Sequence, residues 1–246
     1  MEPTYRTLEI LSQLAVVATG TRIDYIGDEN IPQRGGAVVA INHTSYLDWM
    51  PAGLALRRRR RRLRFMIKAE MQQVRVVKSV ISRTGIIPVD RTAGADAYSA
   101  AVQRLRAGEL VGVYPEATIS RSFELKDFKT GTARMAIEAG VPIVPLIVWG
   151  TQRIWTKDHP RNLGRGKVPV TVEIGPPLQP TTDASQTTAA LRESMGAILH
   201  RVQDRHPREP GAYWTPHRLG GGAPTPSEAA RLEAEEAISR QQHQSG

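Results

Sequence analysis

The chain contains no cysteine. That excludes a disulfide framework, a thiolate nucleophile and any cysteine-held zinc or iron–sulfur site. Aromatic residues are scarce, at 5%, while 33 Lys and Arg against 24 Asp and Glu leave a net charge of +9. Such a balance attracts anionic lipid, phosphorylated small molecules or nucleic acid. Long apolar runs are also missing. The longest, such as residues 14–18 and 141–149, fall well below the ~18 residues that cross a bilayer, so no span is expected. The N-terminal stretch sets Glu2 and Glu9 beside Arg6 ahead of a short apolar segment, unlike an export signal. A cytoplasmic location is expected.

At 246 residues the chain has room for one α/β domain with a substantial core and too little for two. Residues 4–20 read as an amphipathic helix, with Leu8, Leu11, Ala15 and Ala18 at helical spacing and Gly20 as its stop. Its apolar side is open to two readings, core packing or a membrane-surface face. An α/β rhythm follows. Strands are expected at residues 37–42, 63–68, 110–114, 141–149 and 168–174, with a short apolar stretch at 85–89. Helices are expected from about Ser45, from about Glu70, over 95–107, over 131–139, and from the N-cap Asp183 to about Asp204. Residues 141–149 are almost continuously apolar, as in a strand buried on both faces. These elements make a single α/β domain over residues 1–206, a mixed, mostly parallel sheet flanked by helices. From Pro207 the composition turns to Pro, Gly and polar residues, which marks 207–246 as a flexible tail. Within it Thr225, Pro226 and Glu228 form a capping box for a short, solvated helix over about 226–240.

The segment Asn42-His43-Thr44-Ser45-Tyr46-Leu47-Asp48 stands where a strand ends and a helix begins, the place where α/β sheets bind ligands. On a regular helix His43 and Asp48 would point ~140° apart, so His43 must precede the helix, with Thr44 or Ser45 capping it. The imidazole then folds back toward Asp48, whose carboxylate fixes its tautomer and stabilises an imidazolium. Spacing alone is equally served by a capping histidine and a solvated carboxylate. No serine completes a hydrolase triad, which leaves the attacking hydroxyl to a substrate.

Three further segments keep company with this one: Gly85-Ile86-Ile87-Pro88-Val89-Asp90-Arg91, Tyr114-Pro115-Glu116-Ala117-Thr118-Ile119-Ser120 and Val141-Pro142-Ile143-Val144-Pro145. In this order the four segments resemble the four motifs of the glycerolipid acyltransferase family, the lysophospholipid acyltransferases of bacteria, over roughly residues 20–205. The resemblance implies a glycerol-3-phosphate acyltransferase-like fold and a 1-acylglycerol-3-phosphate O-acyltransferase-like activity in phospholipid biosynthesis. It makes His43 the general base and Asp48 its charge partner. The donor would be acyl-CoA or acyl carrier protein, used as a co-substrate, with no tightly bound cofactor and no metal. The acceptor would be lysophosphatidic acid or a related lysophospholipid. Arg91 would grip its phosphate through the guanidinium fork. Lys68, followed by Ala69 and Glu70, matches the family's lysine–acidic stretch, and is equally readable as a solvated strand end. Glu116 and Thr118 match the third motif, usually Glu-Gly-Thr-Arg-Ser, and shape the acceptor site. This chain departs from that motif twice. Ala117 replaces the glycine, suiting ordinary dihedrals, and Ile119 replaces the arginine, removing a phosphate ligand. Arg121 is near enough to swing into the vacated place; otherwise the acceptor carries a larger head group or is another alcohol. Backbone N–H groups at the helix start would hold the oxyanion.

Arg57, Arg58, Arg59, Arg60, Arg61, Arg62 and Arg64 form a basic patch between the His43 helix and the next strand. Such runs are usually solvated, and at an anionic membrane surface each is worth ~1 kcal/mol. The expectation is a peripheral protein on the inner face of the cell membrane. Nucleic acid is the rival partner, and no aromatic residue interleaves these arginines to stack on bases. Two other readings stay open, a thioesterase or hydrolase and a non-catalytic membrane lipid-binding protein.

Overall fold

The computed structural model describes residues 3–68, 83–89 and 94–244. The helix expected from about Glu70, and Arg91 with its expected role as a phosphate ligand, lie outside the described residues. Among the described residues, seven strands form one sheet in the order β1-β7-β6-β2-β5-β3-β4, where β1 is Arg22–Ile26, β2 Ala37–Ile41, β3 Leu63–Lys68, β4 Ile87–Val89, β5 Leu110–Val113, β6 Ile143–Trp149 and β7 Pro169–Ile174. All pairings are parallel except β6 with β7. The expected mixed, mostly parallel α/β sheet is the one found. Its central strands β2, β5 and β6 are buried along their whole length, which is why they read as unbroken apolar runs.

Pleating sends alternate residues of each strand to opposite faces, and each face has its own core. On one side Val39, Ile41, Leu63 and Leu146 pack against Ala52, Ala55 and Leu56 of α2, Trp49–Arg58. On the other, Val38, Ala40, Val111 and Ile147 meet α3 (Gly94–Arg106), α4 (Gly131–Ala139) and α5 (Ala184–Arg205). α5 begins as the sequence says: the Asp183 carboxylate accepts from Ser185 N and Gln186 N. The β2 loop leads to α2 on one face, whereas the β5 loop leads to α4 on the other. A crevice opens between such strand ends, and His43 follows β2 there.

Helix α1, Pro3–Thr19, lies along the α2 side. Near its start Tyr5 Oη bonds the Leu63 backbone at the opening of β3; at its end Thr19 O accepts from Lys167 N, just ahead of β7. Because β7 runs against the central strands, α1 stretches from the N-terminal end of β3 to the end of the sheet that carries His43, ~25 Å for its 17 residues.

The segment set apart as a flexible tail is folded back on the domain. Ala223 and Ala229 are buried, the former within the α3–α5 core. Helix α6, Pro226–Gln244, is longer than the sequence suggested. It opens with the expected capping box, Thr225 N donating to Glu228 Oε2 at 2.9 Å and Glu228 N to Thr225 Oγ1 at 3.3 Å.

Candidate active site

The structure brings His43 and Asp48 together. His43 Nδ1 lies 3.1 Å from Asp48 Oδ2, and that oxygen also accepts from Thr44 N and Ser45 N, both at 2.8 Å. Asp48 Oδ1 accepts from Thr151 Oγ1 at 2.5 Å, and the carboxylate is fully buried. With two amides already donating to Oδ2, the ring must present Nδ1–H there, which leaves Nε2 as an acceptor. The carboxylate also displaces the expected helix start. By capturing Thr44 N and Ser45 N it winds a turn over 44–48, so α2 begins at Trp49 rather than near Ser45. Tyr46 N goes to Trp155 O and Leu47 N to Ser45 Oγ, so the amides of residues 44–47 are all engaged and none of these four holds an oxyanion.

Side chains far away in sequence complete the setting. Asn42 continues the β2–β6 pairing with its amide, donating to Val148 O and accepting from Val148 N. Tyr114 stacks on the imidazole with ring centroids 4.0 Å apart; burial, then the nearby Asp48, hold its phenol well above the usual range and so neutral. Thr151 reaches Asp48 from the turn after β6. There Gly150 has φ +107, and a Cβ on it would come 2.2 Å from Pro169 O, so only glycine permits that approach. Tyr114, Thr151 and Lys126 received no role from the sequence. Tyr114 at least stood inside the third motif, whereas nothing local marks the other two.

Glu116, expected to shape the acceptor site, is 3% exposed. Its Oε1 accepts from His43 N at 2.9 Å and its Oε2 from Lys126 N at 3.1 Å, so it ties the His43 turn to the loop after β5. Ser120 N adds a second tie by donating to His43 O at 2.8 Å. Burial pushes the Glu116 carboxyl up to about 7 despite both amides. Between its ordinary pKa and about 7 the unfolded chain has lost this proton while the folded one keeps it, so stability from this group falls as pH rises through that window. Glu116→Gln is therefore expected to lose less stability than the parent between pH 4.5 and 7, a difference of order 3 kcal/mol across the window. Parallel denaturant titrations of the two proteins check this, and equal slopes against pH would refute it.

Ala117 keeps a left-handed backbone, φ +62. The expectation that alanine here goes with ordinary dihedrals is overturned: the turn between Tyr114 O and Ala117 N holds the glycine conformation with a Cβ in place. That strain is worth ~1–2 kcal/mol, partly offset by glycine's unfolded-state entropy. Ala117→Gly is expected to raise the melting temperature by ~1–4 °C, read by calorimetry, and a fall would show that the methyl makes a contact worth more than the strain.

Thr118 Oγ1 accepts from Lys126 Nζ at 2.5 Å. Ile119, in the place of the motif's arginine, is 6% exposed. Arg121 is turned to Asp158 Oδ2 at 2.5 Å and Glu236 Oε2 at 3.0 Å, not into a place vacated by an arginine. Lys68 ends β3, and its side chain lies outside the described residues. Among the described residues no group of three His, Asp or Glu is placed to hold a metal ion.

The arginine run is not one solvated patch. Arg61 donates to Pro32 O, Gly35 O and Gly108 O. Arg64, 6% exposed, is inside the domain on Glu109 and Thr84 O. Arg57 pairs with Glu9 and Arg58 with Asp28, both remaining exposed along with Arg60; Arg62 lies over the Tyr5 ring. The run sits at the N-terminal end of β3, opposite the end that carries His43. A cleft of about 1100 Å³ opens there, lined by Val16, Tyr25, Leu54, Arg57, Arg58 and Arg62 among others. The fully buried Asp48 carboxylate and the imidazole it orients lie at the other end of the sheet.

Residues 22–149 match the protein family described as Acyltransferase. A 1-acyl-sn-glycerol-3-phosphate acyltransferase of Borreliella burgdorferi is 27% identical over 157 residues, 62% of this chain and 61% of that protein. The alpha form from Mus musculus is 27% identical over 205 residues, 80% of this chain and 70% of it. The chain spans 61% and 53% of the lengths of the relatives from Borreliella burgdorferi and Chlamydomonas reinhardtii. The crystal structure of PlsC, the 1-acyl-sn-glycerophosphate (LPA) acyltransferase of Thermotoga maritima, superposes with a TM-score of 0.69 at 22% identity, covering 83% of this chain and 81% of that one, a likeness of fold. With the family match running over more than half of its length, the chain belongs to the Acyltransferase family.

Proposed function

We propose that the chain moves a fatty acyl group from an acyl thioester to the free hydroxyl of lysophosphatidic acid or a related lysophospholipid. The observation that carries this reading is the His43–Asp48 pair at the crevice with the Ser45 and Ser120 hydroxyls turned away. Ser45 Oγ donates to Trp155 O and Ser120 Oγ to Glu124 O. A base with its partner and, among the described residues, no protein hydroxyl engaged on it suits a nucleophile that arrives with the substrate. The acceptor is taken from the names of the relatives. His43 Nε2 removes the hydroxyl proton as the oxygen attacks the thioester carbonyl, and Asp48 offsets the charge on the imidazolium. As the tetrahedral intermediate collapses the C–S bond breaks, the imidazolium returns the proton to the leaving thiolate, and the ester is complete. Arg91 and Lys68 supply phosphate contacts.

The test is release of free coenzyme A from long-chain acyl-CoA with and without lysophosphatidic acid, followed by mass analysis of the lipids. Acceptor-dependent release with phosphatidic acid formed supports the reading, and the same assay with acyl carrier protein assigns the donor. Release without acceptor, yielding free fatty acid, would mean hydrolysis. No turnover with either donor and a panel of lysophospholipids would sink it.

A two-tailed product requires a membrane, and α1 is suited to lie on one. Among the described residues no helix is long and apolar enough to cross a bilayer. On α1, however, Ile10, Leu11, Leu14 and Val17 are 44%, 55%, 59% and 72% exposed, while Tyr5 and Ser12 face inward. This stripe runs toward the His43 end of the sheet, with exposed Arg57, Arg58 and Arg60 near its start, so docking combines apolar insertion with attraction to anionic head groups. Leu14→Glu/Val17→Glu is expected to weaken binding to phosphatidylglycerol vesicles at least ~10-fold in flotation assays. Undiminished binding would remove α1 from the interface.

A further inference from the structure

Helix α6 has little apolar surface to hold it, with Ala229 its buried residue among those described. Charge fastens it instead. The Glu233 carboxylate rests on the Lys126 ammonium, and the Glu236 carboxylate on both the Lys157 ammonium and the Arg121 guanidinium. Glutamates three apart share one helix face, and this face lies over the active-site loops. Each of the three cations belongs to a segment tied to the His43 turn, that of Lys126 through Glu116 and the other two directly. Lys126 N shares the Glu116 carboxylate with His43 N. Arg121 follows Ser120, whose amide donates to His43 O. Lys157 stands two residues beyond Trp155, whose carbonyl accepts from Tyr46 N and Ser45 Oγ.

The charges balance while the helix is down. Lys126, Lys157 and Arg121 meet Glu233, Glu236 and Asp158, which holds Arg121 at 2.5 Å. With α6 lifted, only Asp158 stays, and two positive charges are left over. That excess matches a phosphate monoester, which carries about −1.5 to −2 near neutral pH and three acceptor oxygens. A second observation points the same way. Arg121 is 9% exposed, yet among the described residues its Nη1 has no hydrogen-bond partner, although buried guanidinium donors are normally filled. Glu233 and Glu236 are themselves about a quarter exposed, 25% and 27%, and ion pairs so open to water hold weakly.

We propose that Arg121, Lys126 and Lys157 form a phosphate-monoester-binding rim beside the His43 crevice, and that α6 is a displaceable strap whose Glu233 and Glu236 occupy that rim until a substrate phosphate replaces them. The proposal rests on the acyl-transfer reading for its ligand, since both an acceptor such as lysophosphatidic acid and a coenzyme A donor carry a phosphate monoester. Glu233→Gln/Glu236→Gln keeps the side-chain shapes and removes the competing charges. The double variant is expected to lower KM about fivefold or more with kcat within about twofold. A drop confined to lysophosphatidic acid assigns the rim to the acceptor, and one confined to acyl-CoA assigns it to the donor. An unchanged or raised KM for both, or a loss of kcat and melting temperature alone, would make the strap merely structural and overturn the proposal. Hydrogen–deuterium exchange of the full wild-type chain gives a readout that needs no turnover. Glycerol 3-phosphate, coenzyme A and inorganic phosphate are each added, and faster exchange in 226–240 is expected with at least one. Unaltered protection with all three would overturn the strap even if acyl transfer stands, and a ligand response without turnover would retain the strap while removing the acyl-transfer reading.

Discussion

His43→Ala is expected to lower acceptor-dependent thioester cleavage by ~10²–10⁴-fold, the usual worth of a positioned general base. Folding is expected to survive. The ring is 19% exposed and its main packing partner is the stacked Tyr114, a contact worth ~1 kcal/mol, which in a chain this long shifts the melting temperature by only ~2–4 °C. Among the described residues, the carboxylates beside it are not free to take over. Asp48 is fully buried beneath four donors, and both Glu116 oxygens are held by main-chain amides. The decisive comparison is kcat of the variant and the parent at saturating acceptor, alongside their melting curves. A variant that keeps more than about a tenth of the parent rate would require another base.

That the contact between His43 and Asp48 was legible in the sequence follows from local physics. Strand β2 is buried on both faces, so it reads as an apolar run with a sharp end, and His43 and Asp48 share the single turn that follows. The α5 N-cap and the α6 capping box were legible for the same reason, since a cap is made within three or four residues. What escaped the sequence is long-range. Thr151 meets Asp48 across 103 positions and Glu116 meets His43 across 73, and only the sheet order β6-β2-β5 makes them neighbours. The arginine run misled because its members look alike, whereas the β3 pleat decides their depth: Leu63 and Phe65 enter the α2-side core, which turns Arg64 to the other face, onto Glu109. The backbone of Ala117 was misjudged because a residue's own preference was weighed without the turn that holds it, whose hydrogen bond from Ala117 N to Tyr114 O fixes φ whatever the side chain. The folding back of α6 was hidden as well. Its anchors are charges, and charged helices look solvated in sequence whether or not a complementary surface waits for them.

Asp48→Asn separates the carboxylate's two duties. If the asparagine oxygen takes the place of Oδ2, it still accepts from Thr44 N, Ser45 N and His43 Nδ1, while its NH2 faces Thr151 Oγ1, a hydroxyl that turns to accept. The fold then survives, at a cost of ~1–3 kcal/mol for the weakened buried bonds. The ring keeps its orientation and tautomer but loses the negative charge that balances the imidazolium in the transition state. A fall in kcat of ~10²-fold or more with KM for the acceptor little changed is therefore expected, because the lost interaction strengthens only as the proton moves. If Asp48 acts through His43, the variant lacking both, His43→Ala/Asp48→Asn, is no slower than His43→Ala by itself, since groups that act as a unit are far from additive. A further ~100-fold drop in the double variant would show that Asp48 serves the reaction by a route other than the imidazole.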